Sequence, residues 1–103
     1  MREIKKISLI GLGAIGGTYA SKLQDMEPDC LRIIVNQERH ERLQRRGFEV
    51  RGKAYDFNYV RPEEAVEPAD LIIVSVKYHH LQQAIQDIRN HIGKDTVILS
   101  LMN

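Results

Sequence analysis

The sequence predicts an α/β fold: a doubly wound, mostly parallel sheet with helices on both faces and a hairpin after the second helix. Three observations predict it. Short β-branched runs alternate with stretches of helical periodicity. The run over residues 71–76 is nearly all apolar, as a strand covered on both faces must be. A glycine-rich turn joins the first apolar run to the first helical stretch.

The elements follow in order. Ile7, Ser8, Leu9 and Ile10 are stopped by glycine and read as a buried strand. From Ala14 the period changes: Ile15, Tyr19, Ala20 and Leu23 fall on one helical face, and Pro28 closes the stretch. Residues 31–35 form a second strand. Residues 37–46 are mostly charged, with Gly47 placed as a helix C-cap. Phe48 and Val50, then Tyr55, Phe57 and Tyr59, alternate with polar residues around Arg51-Gly52-Lys53, which reads as a hairpin. The three later aromatics are expected to share one strand face and pack into the core. After the strand at 71–76, Leu81, Ala84, Ile85, Ile88 and Ile92 mark another amphipathic helix, and residues 97–101 the last strand. No internal repeat or low-complexity segment interrupts this rhythm. The 103 residues are one domain's worth of chain. The end at Asn103, just past a core strand, suggests the front piece of a longer protein.

Composition narrows the function. Hydrophobic residues make up 43%, enough for a core, and 15 Lys+Arg nearly balance 14 Asp+Glu. That balance argues against a general nucleic-acid binder and against an acidic disordered tail. A single cysteine, Cys30, cannot form an internal disulfide and has no evident activating partner. No apolar run reaches the length of a membrane span, and the N-terminus does not read as a signal peptide. The expectation is a cytoplasmic domain without nucleic-acid or membrane partners.

Gly11-Leu12-Gly13-Ala14-Ile15-Gly16 matches G-x-G-x-x-G between a predicted strand and a predicted helix, the Rossmann-type context that gives the pattern its meaning. Gly11 permits the tight turn. Gly13 lets a pyrophosphate approach the backbone, and Gly16 lets helix and strand pack closely. The helix N-terminus then offers N–H groups and partial positive charge to phosphates. The bland alternative is a glycine turn that serves packing only. An acid that would hold the ribose 2′-hydroxyl is expected about 20 residues on, and the position reached is Asn36. Asn can bond a ribose hydroxyl without repelling a 2′-phosphate, and Arg39 or Arg42 could pair with that phosphate. This leans toward NADP(H), with NAD(H) left open. Equally, Glu38/Arg42 and Glu41/Arg45 could be i,i+4 pairs on a solvated helix.

Ligands of open parallel sheets bind beyond the carboxyl ends of the strands. Lys77 and Asn103 sit at two such ends. A lysine there can hold a ribose hydroxyl or substrate oxygen, and an asparagine offers both donor and acceptor. Otherwise they are a solvated strand exit and a frayed terminus. His79 and His80 are expected to begin a helix and face solvent. His40 and His91 lie in charged helical contexts, and no cluster has metal-ligand spacing.

Taken together, the glycine loop from Ile7 to Gly17, Arg46-Gly47-Phe48-Glu49-Val50 with its hairpin, residues 69–77 ending in Val76-Lys77, and residues 98–103 ending in Asn103 resemble the N-terminal domain of ketopantoate reductases (2-dehydropantoate 2-reductases). The resemblance implies NADPH-dependent reduction of ketopantoate to pantoate, on the way to pantothenate and coenzyme A. It implies that Gly11, Leu12, Gly13, Ala14, Ile15 and Gly16 form the pyrophosphate loop. Lys77 would line the cofactor and substrate cleft, and Asn103 would lie near the nicotinamide. The family often carries an arginine where Asn36 stands, which leaves Arg39 as the substitute. Its C-terminal helical domain, with the lysine general acid, is absent from these 103 residues. The fragment is therefore expected to bind cofactor weakly and turn over little. Other readings are a dehydrogenase for another 2-oxo or 3-hydroxy acid, or a non-catalytic nucleotide-binding module; a homodimer is left open.

Overall fold

The computed structural model describes residues 3–101. At its centre, strand β1 (Ile7–Ile10) has all four residues buried. It is paired in parallel on one side with β2 (Leu31–Ile34) and on the other with β6 (Ala69–Val74). β5 (Tyr59–Val60) extends the sheet beyond β2, and β7 (Ile92–Ser100) beyond β6. Among the described residues the order is therefore β5-β2-β1-β6-β7, all parallel. This is the Rossmann-like α/β arrangement, and every crossover carries a helix or a longer connection.

Alternation along the strands divides the core. Ile7, Leu9, Leu31 and Ile33 pack with Ala20, Leu43 and Phe57 on one face; Ile10, Ile34, Ile72 and Val74 pack with Ala84 and Ile88 on the other. Helices α1 (Ala14–Met26) and α2 (Gln37–Arg46) cover the first face and α3 (Leu81–Asp87) the second. Each such aliphatic side chain contributes about 1.5–3 kcal/mol on full burial.

Helix α1 buries only part of the face expected: Ala20 is buried and Leu23 packs against the core, but Ile15 and Tyr19 do not. Gly16, Gly17, Ala20 and Ser21 face inward, while Ile15 and Tyr19 are exposed. Close approach is the reason: a Cβ on Gly17 would lie 2.8 Å from the Phe48 ring, and one on Gly16 would lie 2.1 Å from the Gly11 carbonyl oxygen. Only small residues fit that contact. Helix α2 matches its predicted span, with Gly47 at φ +73° as the C-cap. The anticipated Glu–Arg pairs are absent from its surface; Gln37 instead donates to Glu41 at 2.9 Å.

The hairpin comprises β3 (Phe48–Val50) and β4 (Lys53–Tyr55), turning through Arg51 and Gly52 at positive φ. Tyr59 does not continue it. The chain crosses to the main sheet, where Ile33 N–H donates to the Asn58 carbonyl and Tyr59 aligns with Ile33. The aromatics still pack together as expected: Tyr55 stacks on Phe57 at 5.5 Å, and Phe57 meets Tyr59 edge-on at 6.3 Å.

Helix α3 is shorter than its periodicity suggests. A 3₁₀ turn (Arg89–His91) ends it, and Ile92 already belongs to β7. The register of β6 and β7 shifts between Ala69 and Leu71, and Thr96 bridges the irregularity: its hydroxyl accepts from Gly93 N–H and donates to the Ala69 carbonyl.

His91 is fully buried rather than part of a charged helical surface. One ring nitrogen, Nε2, lies 3.3 Å from the Arg61 carbonyl. On the same face, Ser8 and Arg32 are paired across β1 and β2 and are also buried. Burial holds the His91 imidazole below its ordinary range; the Arg61 carbonyl opposes this and the Arg32 charge adds to it. The folded state thus keeps His91 neutral while the unfolded chain takes up a proton. Its contribution to stability is present above the unfolded value near 6.5 and is lost as pH falls below it. Melting curves between pH 7.5 and 5.5 are expected to drop more steeply for the native chain than for His91→Gln. Parallel curves would refute the linkage.

Candidate functional site

The chain leaves β1 for β2 and β5 on one side of the sheet and later returns to build β6 and β7 on the other. The switch point therefore lies between β1 and β6, at their carboxyl ends, where open α/β sheets bind ligands. A cleft of about 510 Å³ opens there. Gly11, Leu12 and Gly13 line it from the exit of β1, Asn36 and Arg39 from the exit of β2, and Ser75, Val76 and Lys77 from the exit of β6.

Each glycine of the loop has a distinct reason. Gly11 has φ +102°, and a Cβ there would fall 2.1 Å from the Ser75 carbonyl oxygen. The β6 exit is tied back to β1 at this point by Ser75 N–H donating to the Ile10 carbonyl at 2.9 Å. Gly16 is pressed under the Gly11 carbonyl. At Gly13 a Cβ would meet nothing within 4 Å. Gly13 is also the N-cap of α1, with no side chain capping the helix and no acid in its first turn. The backbone there lies open to a ligand, at a helix end with unsatisfied N–H groups and partial positive charge. Ala14, Ile15 and Gly16 contribute no wall to the cleft; Ala14 and Ile15 are exposed at the start of α1.

Asn36 and Arg39 both reach the cleft, but they are also joined to one another. Asn36 Oδ1 accepts from Arg39 N–H at 2.8 Å, capping α2. The Arg39 guanidinium crosses to the glycine loop, where Nη2 donates to the Leu12 carbonyl at 2.7 Å. Arg42 is exposed and does not line the cleft. Lys77 caps the following 3₁₀ turn (Tyr78–His80) and its side chain is exposed to the cleft. Asn103 lies outside the described residues.

Sequence reasoning missed His79 and His80. They are exposed, as expected, yet both line the same cleft, and their rings touch at 4.0 Å between centroids. The strand-end rule that singled out Lys77 applies equally to the turn that follows it. Cys30 lies outside the cleft; burial, with Glu27 nearby, pushes its thiol up, opposite to an activated nucleophile. Among the described residues, no His/Cys/Asp/Glu group could hold a metal ion, and no helix is long and apolar enough to cross a membrane.

Residues 7–103 match the family model for ketopantoate reductase PanE/ApbA. The chain belongs to the ketopantoate reductase family. Over 101 residues it is 32% identical to the 2-dehydropantoate 2-reductase of Streptococcus pyogenes serotype M1, covering 94% of this chain and 33% of that protein. A D-mandelate dehydrogenase solved with NADH and anilino(oxo)acetate superposes with a TM-score of 0.78 at 27% identity, over 95% of this chain and 33% of that one. A dimeric ketopantoate reductase from Staphylococcus aureus gives 0.70 at 26% identity, over 95% and 36%. The chain thus spans about a third of the length of the curated relatives it matches. These relatives make the family one of oxidoreductases.

Proposed function

We propose that the chain is the cofactor-binding domain of an NADPH-dependent oxidoreductase that reduces ketopantoate to pantoate. The observation that carries this reading is the open backbone above Gly13 at an uncapped helix N-terminus, set at the sheet's switch point. When bound, the nicotinamide supplies a hydride to a carbonyl carbon. The protein's share is to bind and orient. Gly11, Leu12 and Gly13, with the first-turn N–H groups of Ala14, Ile15 and Gly16, hold the pyrophosphate. The Asn36 amide nitrogen can donate to a ribose hydroxyl. The free N–H groups of Arg39 face a 2′-phosphate while Nη2 stays on the loop. Lys77 and Asn103 serve the nicotinamide and substrate end.

Reduction also needs a proton donor within hydrogen-bond reach of the carbonyl oxygen, and a substrate held in near-attack geometry. We assign both to a helical domain beyond these 103 residues, in keeping with relatives three times as long. The 103-residue chain alone is then expected to show no measurable ketopantoate reduction. The same reading places the full protein in the cytoplasm as a homodimer, like the dimeric S. aureus relative.

Calorimetric titration with NADPH and NADH tests the cofactor assignment. NADPH is expected to bind more tightly. Gly13→Val, whose side chain enters space that is otherwise empty, should weaken binding by at least about tenfold with little change in melting temperature. Unchanged binding by Gly13→Val would exclude the loop as the pyrophosphate site. One observation favours a second reading: the D-mandelate dehydrogenase superposes as well as the ketopantoate reductases do. A preference for NADH, with turnover of other 2-oxo acids by the full-length protein, would decide for it.

A further inference from the structure

One corner of the cleft is rich in hydrogen-bond acceptors. Asp87, on α3, is the one carboxylate among the described residues that line it. Gln83 lines it one turn earlier, and its Nε2 donates to Asp87 Oδ1 at 2.9 Å. This bond fixes both side chains and leaves Asp87 Oδ2 and Gln83 Oε1 as acceptors with no donor among the described residues. An i,i+4 pair of this kind can serve simply to support a helix. Asp87, however, is the last residue of α3, where its charge meets the partial negative end of the helix. No base stands in that turn to offset it, and Asp87 is only partly exposed.

Packing puts this corner on the adenosine side. Ala84 is buried in one cluster with Ile10 and Ile34, so α3 lies against the carboxyl ends of β1 and β2. Ile34, Val35 and Ala84 form apolar walls of the cleft, beside Asn36 and Arg39. With the pyrophosphate on Gly13 and the ribose 2′ position on Asn36 and Arg39, the base is directed between the β2 exit and α3. The apolar walls take its faces, and its polar edge meets Gln83 and Asp87. Adenine presents there an exocyclic amino group, which has two N–H donors and no charge. The two open acceptors match the two donors.

We propose that Asp87, positioned by Gln83, reads the exocyclic amino group of the adenine base and so selects aminopurine dinucleotides. The inference rests on the cleft being a dinucleotide site, and it is independent of the 2′ substituent. A base without that amino group leaves the two acceptors unmatched, and an unmatched polar group is what gives such contacts their discrimination.

The test is calorimetric titration with NADPH and with its purine analogue, in which hydrogen replaces the exocyclic amino group. The 103-residue chain is compared with Asp87→Asn and with Gln83→Ala/Asp87→Ala. Neither position belongs to the buried core, so the variants are expected to fold, and melting curves check this. The native chain is expected to prefer NADPH over the analogue by at least about fivefold, and the double variant by less than about twofold. Asp87→Asn keeps an acceptor oxygen and should give an intermediate ratio. NADH and its own purine analogue should give the same ratios. A native ratio within about twofold of unity, or a ratio unchanged in the double variant, with NADPH bound, overturns the inference and leaves the dinucleotide site intact. No binding of either nucleotide by the native chain overturns the dinucleotide reading, and the inference with it.

Discussion

Gly11→Ala is expected to cost about 3 kcal/mol of folding stability and to abolish nucleotide binding, because two penalties combine. At φ +102° a side chain is strained whatever space surrounds it. Space is also lacking: the new methyl would lie 2.1 Å from the Ser75 carbonyl oxygen and 2.5 Å from its carbonyl carbon. These are backbone atoms, anchored by the Ser75–Ile10 hydrogen bond, so no rotamer change relieves the overlap. Relief requires separating β1 from β6 at their carboxyl ends, which also deforms the cleft. Urea unfolding measures the stability loss and calorimetry the binding loss. A variant within about 1 kcal/mol of the native chain would contradict the close approach.

Arg39→Ala is expected to lower NADPH affinity by about 10- to 100-fold and NADH affinity by less than about fivefold. The guanidinium does two things. Through Nη2 it holds the Leu12 carbonyl, and so the glycine loop, at 2.7 Å. Its remaining donors present a permanent charge on the β2 side of the cleft. Losing the first affects both nucleotides; losing the second affects only the one with a 2′-phosphate. Arg39→Lys separates the two. It keeps the charge without the planar fork, so it should recover part of the NADPH preference. Equal losses for both nucleotides on Arg39→Ala would make the residue a loop brace only.

The parts legible in the sequence carry local signals. β1 is reproduced residue for residue because four buried residues end at a glycine. Helix α2 is bounded by Asn36 and Gly47, whose capping is decided within a few residues. Gly11 and Gly16 were legible because each answers a demand of the turn. The less legible parts depend on distant residues. The buried face of α1 is set by Phe48 and by the Gly11 carbonyl, so bulky Ile15 and Tyr19, the residues periodicity favours, are turned outward. Tyr59 alternates with Tyr55 and Phe57 as a hairpin strand would, yet pairing with β2 claims it. Ile92 continues a helical spacing but is taken by the edge of the sheet.

The candidate site divides in the same way. Glycine pattern, strand-end lysine and the uncharged Asn36 are properties of the sequence, and with the family resemblance they determined the dinucleotide reading by themselves. Tertiary structure alone decided that Arg39 braces Leu12, and that His79 and His80 stand across the cleft from Asn36 and Arg39. The physical reason is sequence distance. A cap or tight turn is closed by neighbours in the chain, whereas Arg39 meets a carbonyl 27 residues away only once β1 and β2 lie side by side.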